Sequence, residues 1–535
     1  MGVFDFLTGA KVDKLEKDLI EANSRMGSYN PLFNISYDGE KNSGELGALT
    51  QYDLDYRGLR YRSWESYLTN PITQTIVNRY LTWVIGGGLK LQCEPISIVL
   101  DSENIKVPDS FIKTTEARFK IFAESIGSDY AGINNLNRLS WEIKKNAIIG
   151  GDVLVIQRVD KKGNLNVQAV DGQHVLTPFF NDEVAKAKKR GNIIKNGIEE
   201  SKTGEHIAYH IRTKPGKFVR VEAKGKKTKR DVAFMVYGLR YRLNDNRGIP
   251  LISTVLETLA KLDRYKEATV GSAEERAKIV YAVEHQQFST GENPLARNLV
   301  KAFNVDADQD IPVTADGEKI ADTIAVSTDK QVFNLPLGAK LAALDTKNDI
   351  YFKDFYSINV ESICSALGIP PEVALSKFDS NFSASRAALK DWEHTINVAR
   401  KDFQFQFNQK VYNTWLNLDV QKLKTQAPGY LLALGRGDDT VLAAYRNARF
   451  TGANVPHIDP EKEVRAERLK LGETAAAIPL TTVEQATENL NGGEFSTNVE
   501  KYSKELQLSK DKGIELEKEI ITQPAGTTPV KKVEK

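Results

Sequence analysis

Leu367-Gly368-Ile369-Pro370-Pro371-Glu372 and, a few residues on, Asn381-Phe382-Ser383-Ala384-Ser385-Arg386-Ala387-Ala388-Leu389 form the stretch around which the rest of the chain organises. Gly368 and Pro370 close one helical pattern, because glycine accepts the left-handed turn after a helix and proline cannot continue one. That pattern covers residues 349–367, with Phe352, Phe355, Asn359, Ile363 and Leu367 in register. From Ser385 a second pattern opens. Leu389, Trp392, Ile396, Ala399, Phe403, Phe407, Val411 and Trp415 follow in steps of three and four, one apolar stripe of about eight turns and roughly 45 Å.

Upstream, Pro250 opens a third long helix. Leu251, Val255, Leu256, Leu259, Leu262 and Tyr265 share one face and charged residues the other, to about residue 277, a length of roughly 40 Å. Between these helices, residues 280–346 carry short β-like runs, including 279–283 and 331–335, and acidic turns. A small β-rich insertion between two helices is the expected arrangement.

The N-terminal half reads as mixed. Residues 1–60 show little periodicity and are expected to be an extended arm, ending in the basic and aromatic group Arg57, Arg60, Tyr61, Arg62 and Trp64. Asn70 caps a helix with Pro71 at its first position, Ile72, Ile76, Tyr80 and Val84 follow at helical spacing, and Gly86 to Gly88 stop it. Leu136, Leu139, Ile143 and Ala147 predict a helix running to Gly150, then a hairpin of residues 152–159 and 165–170. Residues 186–230 are basic, with strands at 206–212 and 218–221 joined by polar turns. Shorter helical segments follow residue 425, and residues from 524 on have a disordered composition.

Composition excludes several classes. Of the 535 residues, 41% are hydrophobic and 27% charged, which are globular values, and no run approaches the roughly 20 apolar residues that span a bilayer. The opening residues lack the pattern of a secretory signal, so residence in the cytoplasm is expected. Two cysteines, Cys93 and Cys364, suit neither a disulfide framework nor a zinc site and read as buried small hydrophobes. A net charge of +2 argues against tight DNA storage but not against a conduit, where strong grip would oppose sliding.

Motifs for chemistry are mostly missing. No phosphate-binding G-x-x-x-x-G-K-[ST] loop and no H-E-x-x-H helix occurs. Glu205, His206 and His210 lie on a strand pattern that separates residues four apart by roughly 13 Å, so they read as polar strand residues rather than metal ligands. Asp306, Asp308 and Asp310 imitate a calcium loop, but Ile311 stands where its glycine is required and Gly317 where its bidentate glutamate is. With six histidines, no nucleophile-and-base set emerges from local spacing. No enzyme, cofactor or metal is expected. The basic run Lys214, Lys217, Arg220, Lys224, Lys226, Lys227, Lys229 and Arg230 could meet DNA phosphate or an acidic partner, though a solvated loop is the preferred reading.

Several separated segments resemble the lambda-type tailed-bacteriophage portal protein family, from about residue 55 to about residue 516. They are Asn70 to Gly88 with the Arg and aromatic segment before it, Gly151-Asp152-Val153-Leu154-Val155, and Asn246-Arg247-Gly248-Ile249-Pro250-Leu251. The two stretches quoted first are similar to the family's G-[IV]-P-x-E and N-[YF]-S-[SA]-x-R-x-A signature. Val455-Pro456-His457-Ile458-Asp459-Pro460-Glu461-Lys462-Glu463 resembles its I-D-P-x-K-E segment, and residues 483–513 its closing helices.

The resemblance implies an α+β portal fold assembled as a ring: an N-terminal arm (1–60), a wing (61–249), stem helices (250–279 and 347–368) and a β-containing clip (280–346). It further implies a tunnel loop with a long wing and channel helix (369–425), crown helices (426–520) and a disordered tail (521–535). The implied function is a DNA-translocation channel at a unique capsid vertex, located in the virion and assembled in the host cytoplasm. The implied partners are further copies of the chain, twelve in assembled portals of this kind, and double-stranded DNA without sequence preference. The terminase large subunit, major capsid and scaffold proteins and the head-tail adaptor complete the set; no membrane is involved.

Within the implied tunnel loop, Lys377, Asn381, Ser383 and Arg386 are candidates to face DNA, since one cation per subunit around a ring attracts phosphate weakly and without reading sequence. The equal alternative is that Ser383 or Ser385 caps the helix and Arg386 pairs with a carboxylate. Two rival functions are another head or connector protein and, further off, a metal-dependent nuclease built from scattered carboxylates.

Overall fold

The computed structural model describes residues 55–108, 110–178, 182–226, 228–243, 245–278, 282–285, 339–342, 352–377, 382–453, 460–472, 479–491, 493 and 495–512. Two compact units result: residues 1–256 with 364–535, and residues 257–363.

In the larger unit the chain starts with a helix, α1 (Tyr56–Thr69), capped by Asp55, which accepts from the Gly58 amide. The helix therefore begins inside the segment read as an extended arm. Its buried residues, Leu59, Arg60, Ser63 and Tyr67, keep helical spacing, but two are polar and hide the stripe. α2 (Pro71–Val84) starts as expected, with Asn70 Oδ1 accepting from the Ile72 and Thr73 amides. After β1 (Lys90–Cys93), α3 (Ser97–Ser102) and α4 (Ser110–Glu124) comes α5 (Leu136–Gly150), which ends at Gly151 with φ 94°.

The expected hairpin is present as β2 (Asp152–Val159) and β3 (Leu165–Asp171). The basic region opens with a short helix, α6 (Glu183–Lys189), that went unread because its residues are mostly lysine and alanine with no apolar stripe. Then β4 (Ile193–Lys195), β5 (Ile198–Glu200), β6 (His206–Lys214) and β7 (Lys217–Glu222) form an antiparallel meander. β8 (Ala233–Tyr237) pairs with β2, giving the order β3-β2-β8.

β2 is buried on both faces, and its alternating side chains serve two cores. Val153 and Val155 join the large core with Phe234 and Val236. Leu154 and Ile156 join a smaller one with Ile198, Tyr209 and Ile211 of the meander. Each such fully buried aliphatic side chain contributes about 1.5–3 kcal/mol over an exposed one.

The smaller unit holds most of α7 (Leu256–Lys278), the antiparallel pair β9 (Ala282–His285) and β10 (Ala339–Ala342), and most of α8 (Phe352–Ala366). α7 follows a short 3-10 turn at Leu251–Thr254, so Pro250 opens the turn rather than the α-helix itself. Tyr265 stacks on Phe352, with ring centres 5.7 Å apart. In α8, Val360 and Ile363 are buried while Phe355 stays 43% exposed. Residues 279–281, 331–335, Asp306, Asp308, Asp310 and Asn381, with the termini, lie outside the described residues.

After α9 (Pro371–Leu375), α10 (Phe382–Phe403) carries the predicted stripe, with Trp392, Ile396 and Phe403 buried. One unbroken helix to Trp415 was expected. Instead a π turn at Gln404–Asn408 separates α10 from α11 (Gln409–Gln421). The side chains of that turn explain it. Gln406 accepts from the Tyr237 amide at 2.7 Å, and Gln404 donates to the Ala448 carbonyl at 2.9 Å while accepting from the Phe450 amide. Phe407, Val411 and Trp415 remain buried beyond it.

α12 (Tyr430–Arg436), α13 (Asp439–Arg446) and β11 (Ala448–Thr451) belong to the large core, and β11 pairs antiparallel with β1. Phe119 makes edge contacts with Tyr412, Trp415 and Phe450 there. α14 (Pro460–Lys470), α15 (Val483–Asn491) and α16 (Phe495–Asp511) are the last helices of the described residues.

Candidate functional site

The best-defined polar constellation is a buried ion network at the start of β2. Asp152 begins the strand directly after the Gly151 turn, so its carboxylate is fixed by backbone geometry, with no exposed side-chain surface. Arg247 binds it with both prongs, Nε to Oδ2 at 2.6 Å and Nη2 to Oδ1 at 2.8 Å. Arg60 from α1 adds a bond to Oδ1 at 2.5 Å, and the Gly248 amide donates to Oδ2 at 2.9 Å. The remaining Arg247 hydrogens are also used. Arg247 donates to the carbonyls of Val175, Asn196 and Gly172, and Arg60 to that of Gly150.

Burial alone would push the Asp152 carboxyl up, but the Arg247 guanidinium, with help from Arg60 and the Gly248 amide, holds it down at about 2. The carboxylate is ionised and saturated with donors, so it cannot shuttle protons. Its role is to tie α1, β2 and the segment leading to α7 into one rigid joint.

Glycines make the joint possible. A side chain on Gly248 would strike the Gly151 carbonyl, and one on Gly172 would strike the Asp152 carboxylate. The two backbones approach closely only because both positions lack a Cβ.

A second network centres on Glu199 in the meander. Its buried carboxylate accepts from Arg220 at 2.7 Å, Asn192 at 2.7 Å and Arg190 at 3.1 Å. Against the upward push of burial, these donors hold it at about 2. Buried His210 stands 3.5 Å from the same carboxylate, whereas His206 faces Tyr209 and Glu205 pairs with Lys224. The three therefore do not converge, and among the described residues no group of His, Cys, Asp or Glu could hold a metal. Much of the basic run is internally paired as well, with Arg220 and Lys226 on Glu222 and Lys224 on Glu205. Lys227 lies outside the described residues.

The candidates for facing DNA sit at the α9–α10 connection. Ser376 takes a left-handed conformation, φ 55°, at the end of α9, and the Lys377 amide closes the turn on the Glu372 carbonyl. Arg79 of α2 donates to the Ser376 hydroxyl. Lys377 is exposed. Ser383 belongs to the first turn of α10. Arg386 lies 3.5 Å from Glu463 of α14, which pairs the second signature stretch with the I-D-P-x-K-E-like segment.

A family model for the phage portal proteins of the lambda family matches residues 41–400. The chain belongs to that family. No curated protein matches the sequence. Among solved structures, a chain from the neck of a native GTA particle computed with C12 symmetry is similar at 12% identity, with TM-score 0.39, over 82% of this chain and 94% of that one. A chain from the virion of a native gene transfer agent particle gives 12%, TM-score 0.40, and 82% and 93%. An HK97 family phage portal protein from Corynebacterium diphtheriae gives 10%, TM-score 0.31, and 61% and 82%. At such scores these likenesses add nothing to the assignment, which rests on the family match.

In this portal protein, the Gly151-Asp152 and Arg247-Gly248 segments, read separately in the sequence, meet in one buried joint with Arg60. The joint itself was not read from sequence. Its one local signal was a charged residue, Asp152, opening a strand whose first six positions are all buried. Only tertiary structure supplies the two arginines.

Proposed function

We propose that the chain assembles into a ring, twelve-fold in keeping with its family, that forms the DNA passage at a unique vertex of a phage-like head and resides in the virion. Membership of the portal family across residues 41–400 is the observation that carries this reading. Residues 61–249 of the larger unit, with the rigid Asp152 joint, would serve as the wing, and α7 and α8 as the stem. Residues 280–346 between them would form the clip, and residues 426–520 the crown. An amphipathic helix such as α7 gains a neighbour for its stripe from the next subunit, and a heterologous interface that closes gives a ring.

The role is mechanical: the ring seeds head assembly, offers its clip to the terminase large subunit during packaging and later to a head-tail adaptor. Lys377, Asn381, Ser383 and Arg386 would border the channel, repeated once per subunit so that phosphate attraction stays weak and sequence-blind. No covalent chemistry is needed. The test is head assembly with capsid and scaffold proteins, with and without this chain. Heads made with it should carry one ring-bearing vertex and package DNA when terminase and ATP are supplied. Packaging by heads that lack the chain would refute the proposal.

A further inference from the structure

α14, α15 and α16 meet the rest of the larger unit through charge. Lys113 of α4 holds Glu500 of α16 at 2.6 Å, and Arg386 of α10 reaches Glu463 of α14 at 3.5 Å. Arg449 of β11, which also pairs with Glu94, holds Glu488 of α15 at 2.8 Å. Each of the three helices gives a carboxylate, and each cation comes from a different element of the body beneath. The apolar side chains are placed the other way from those of a helix docked by its greasy stripe. α14 buries most of Glu463 and Glu467 while Leu469 stays 60% exposed, and on α16 Phe495, Val499 and Tyr502 share a face open to solvent. Among the described residues of the three helices, the only buried apolar side chain is Ala486. Neither the large core nor the meander core takes a described residue from beyond Phe450.

We infer that α14 to α16 form a cap latched by these three ion pairs, which lifts from the body as ionic strength rises while the body stays folded. The side chain of every one of the three cations is more than a third exposed, so dissolved ions reach the pairs. Screening then decides: the Debye length falls from about 10 Å at 0.1 M salt to about 3 Å at 1 M. A single exposed pair is weak, but salt weakens all three at once. An apolar seam would behave differently, since salts excluded from protein surfaces strengthen burial rather than loosen it. The latch needs no ring, because all six partners belong to one chain. Release is also observable. Isolated helices shorter than about 12–15 residues are marginal in water, so α14 and α15, 11 and 9 residues long, lose their protection from amide exchange once undocked.

The experiment is hydrogen–deuterium exchange of the purified full chain, read by mass spectrometry at about 0.05 M and about 1 M sodium chloride. Peptides from α14, α15 and α16 should exchange about tenfold faster at the higher salt, while those from β2, buried between both cores, keep their rate. At low salt, Lys113→Glu sets like charge against Glu500 and should speed exchange of α16 about threefold. Adding Glu500→Lys should restore the wild-type rate, and at high salt all three proteins should match. Four results would overturn the inference: exchange of the helices that is unchanged or slower at high salt, acceleration shared equally by β2, a Lys113→Glu effect that persists at high salt, or a charge swap that restores nothing.

Discussion

Arg247 grips Asp152 with two parallel hydrogen bonds, 2.6 and 2.8 Å long, across 95 residues of sequence, and both side chains are buried. A buried pair of this kind adds little over a well-packed apolar pair, but removing one partner leaves a charge stranded.

Arg247→Leu should therefore destabilise the chain by about 3–5 kcal/mol, read by urea unfolding of the purified protein. Asp152→Leu, which strands both Arg247 and Arg60, should cost more than Arg247→Leu, which leaves the carboxylate paired with Arg60. Equal losses would show that packing rather than stranded charge sets the effect.

The glycines at the joint give a second expectation. Gly248→Ala places a methyl group against the Gly151 carbonyl, whereas Gly87→Ala meets open space. The first should lower the melting temperature by several degrees, a shift of about 1–3 kcal/mol in stability. The second should leave it nearly unchanged. Differential scanning fluorimetry of the two variants decides.

Acid should expose the same joint. The Asp152 carboxyl is held at about 2 in the folded chain, below its usual unfolded value of about 3.9. The stability this contributes is complete above the unfolded value and is lost as pH falls through the folded one. Between about pH 4 and pH 2 the wild-type melting temperature should drop more steeply than that of Asp152→Asn, which is less stable at neutral pH but has no carboxyl to protonate there. Glu199, also held at about 2, should add a similar slope that Glu199→Gln removes.

At the α9–α10 connection, Arg386 is partly exposed and pairs with Glu463, so Arg386→Glu should cost at most about 1 kcal/mol, recovered when Glu463→Arg is added. Lys377→Glu should leave melting unchanged and reduce packaged DNA severalfold if the residue borders the passage. DNA content of purified heads, measured by absorbance, checks this.

Much of the fold is legible in the sequence where local chemistry decides. Asn70-Pro71 fixes a helix start by capping, the 152–170 hairpin follows from its β-rich runs, and the Trp392-to-Trp415 stripe follows from its spacing. Tertiary partners decide the rest. The π turn exists because Gln404 and Gln406 satisfy the backbones of β11 and β8, and α1 hides its period because one buried position is Arg60, whose partner lies far along the chain. The same reason limits the site: Lys377 and Arg386 can be nominated from sequence, but the Asp152 joint is assembled from segments that no local pattern connects.

The central claim is that the chain is a ring-forming portal subunit, and it is tested most directly by negative-stain imaging of the purified protein alongside mass photometry. The account predicts rings with a central pore and about twelve subunits, formed alone or once scaffold and capsid proteins are added. Particles that stay monomeric even with scaffold and capsid proteins present would contradict it.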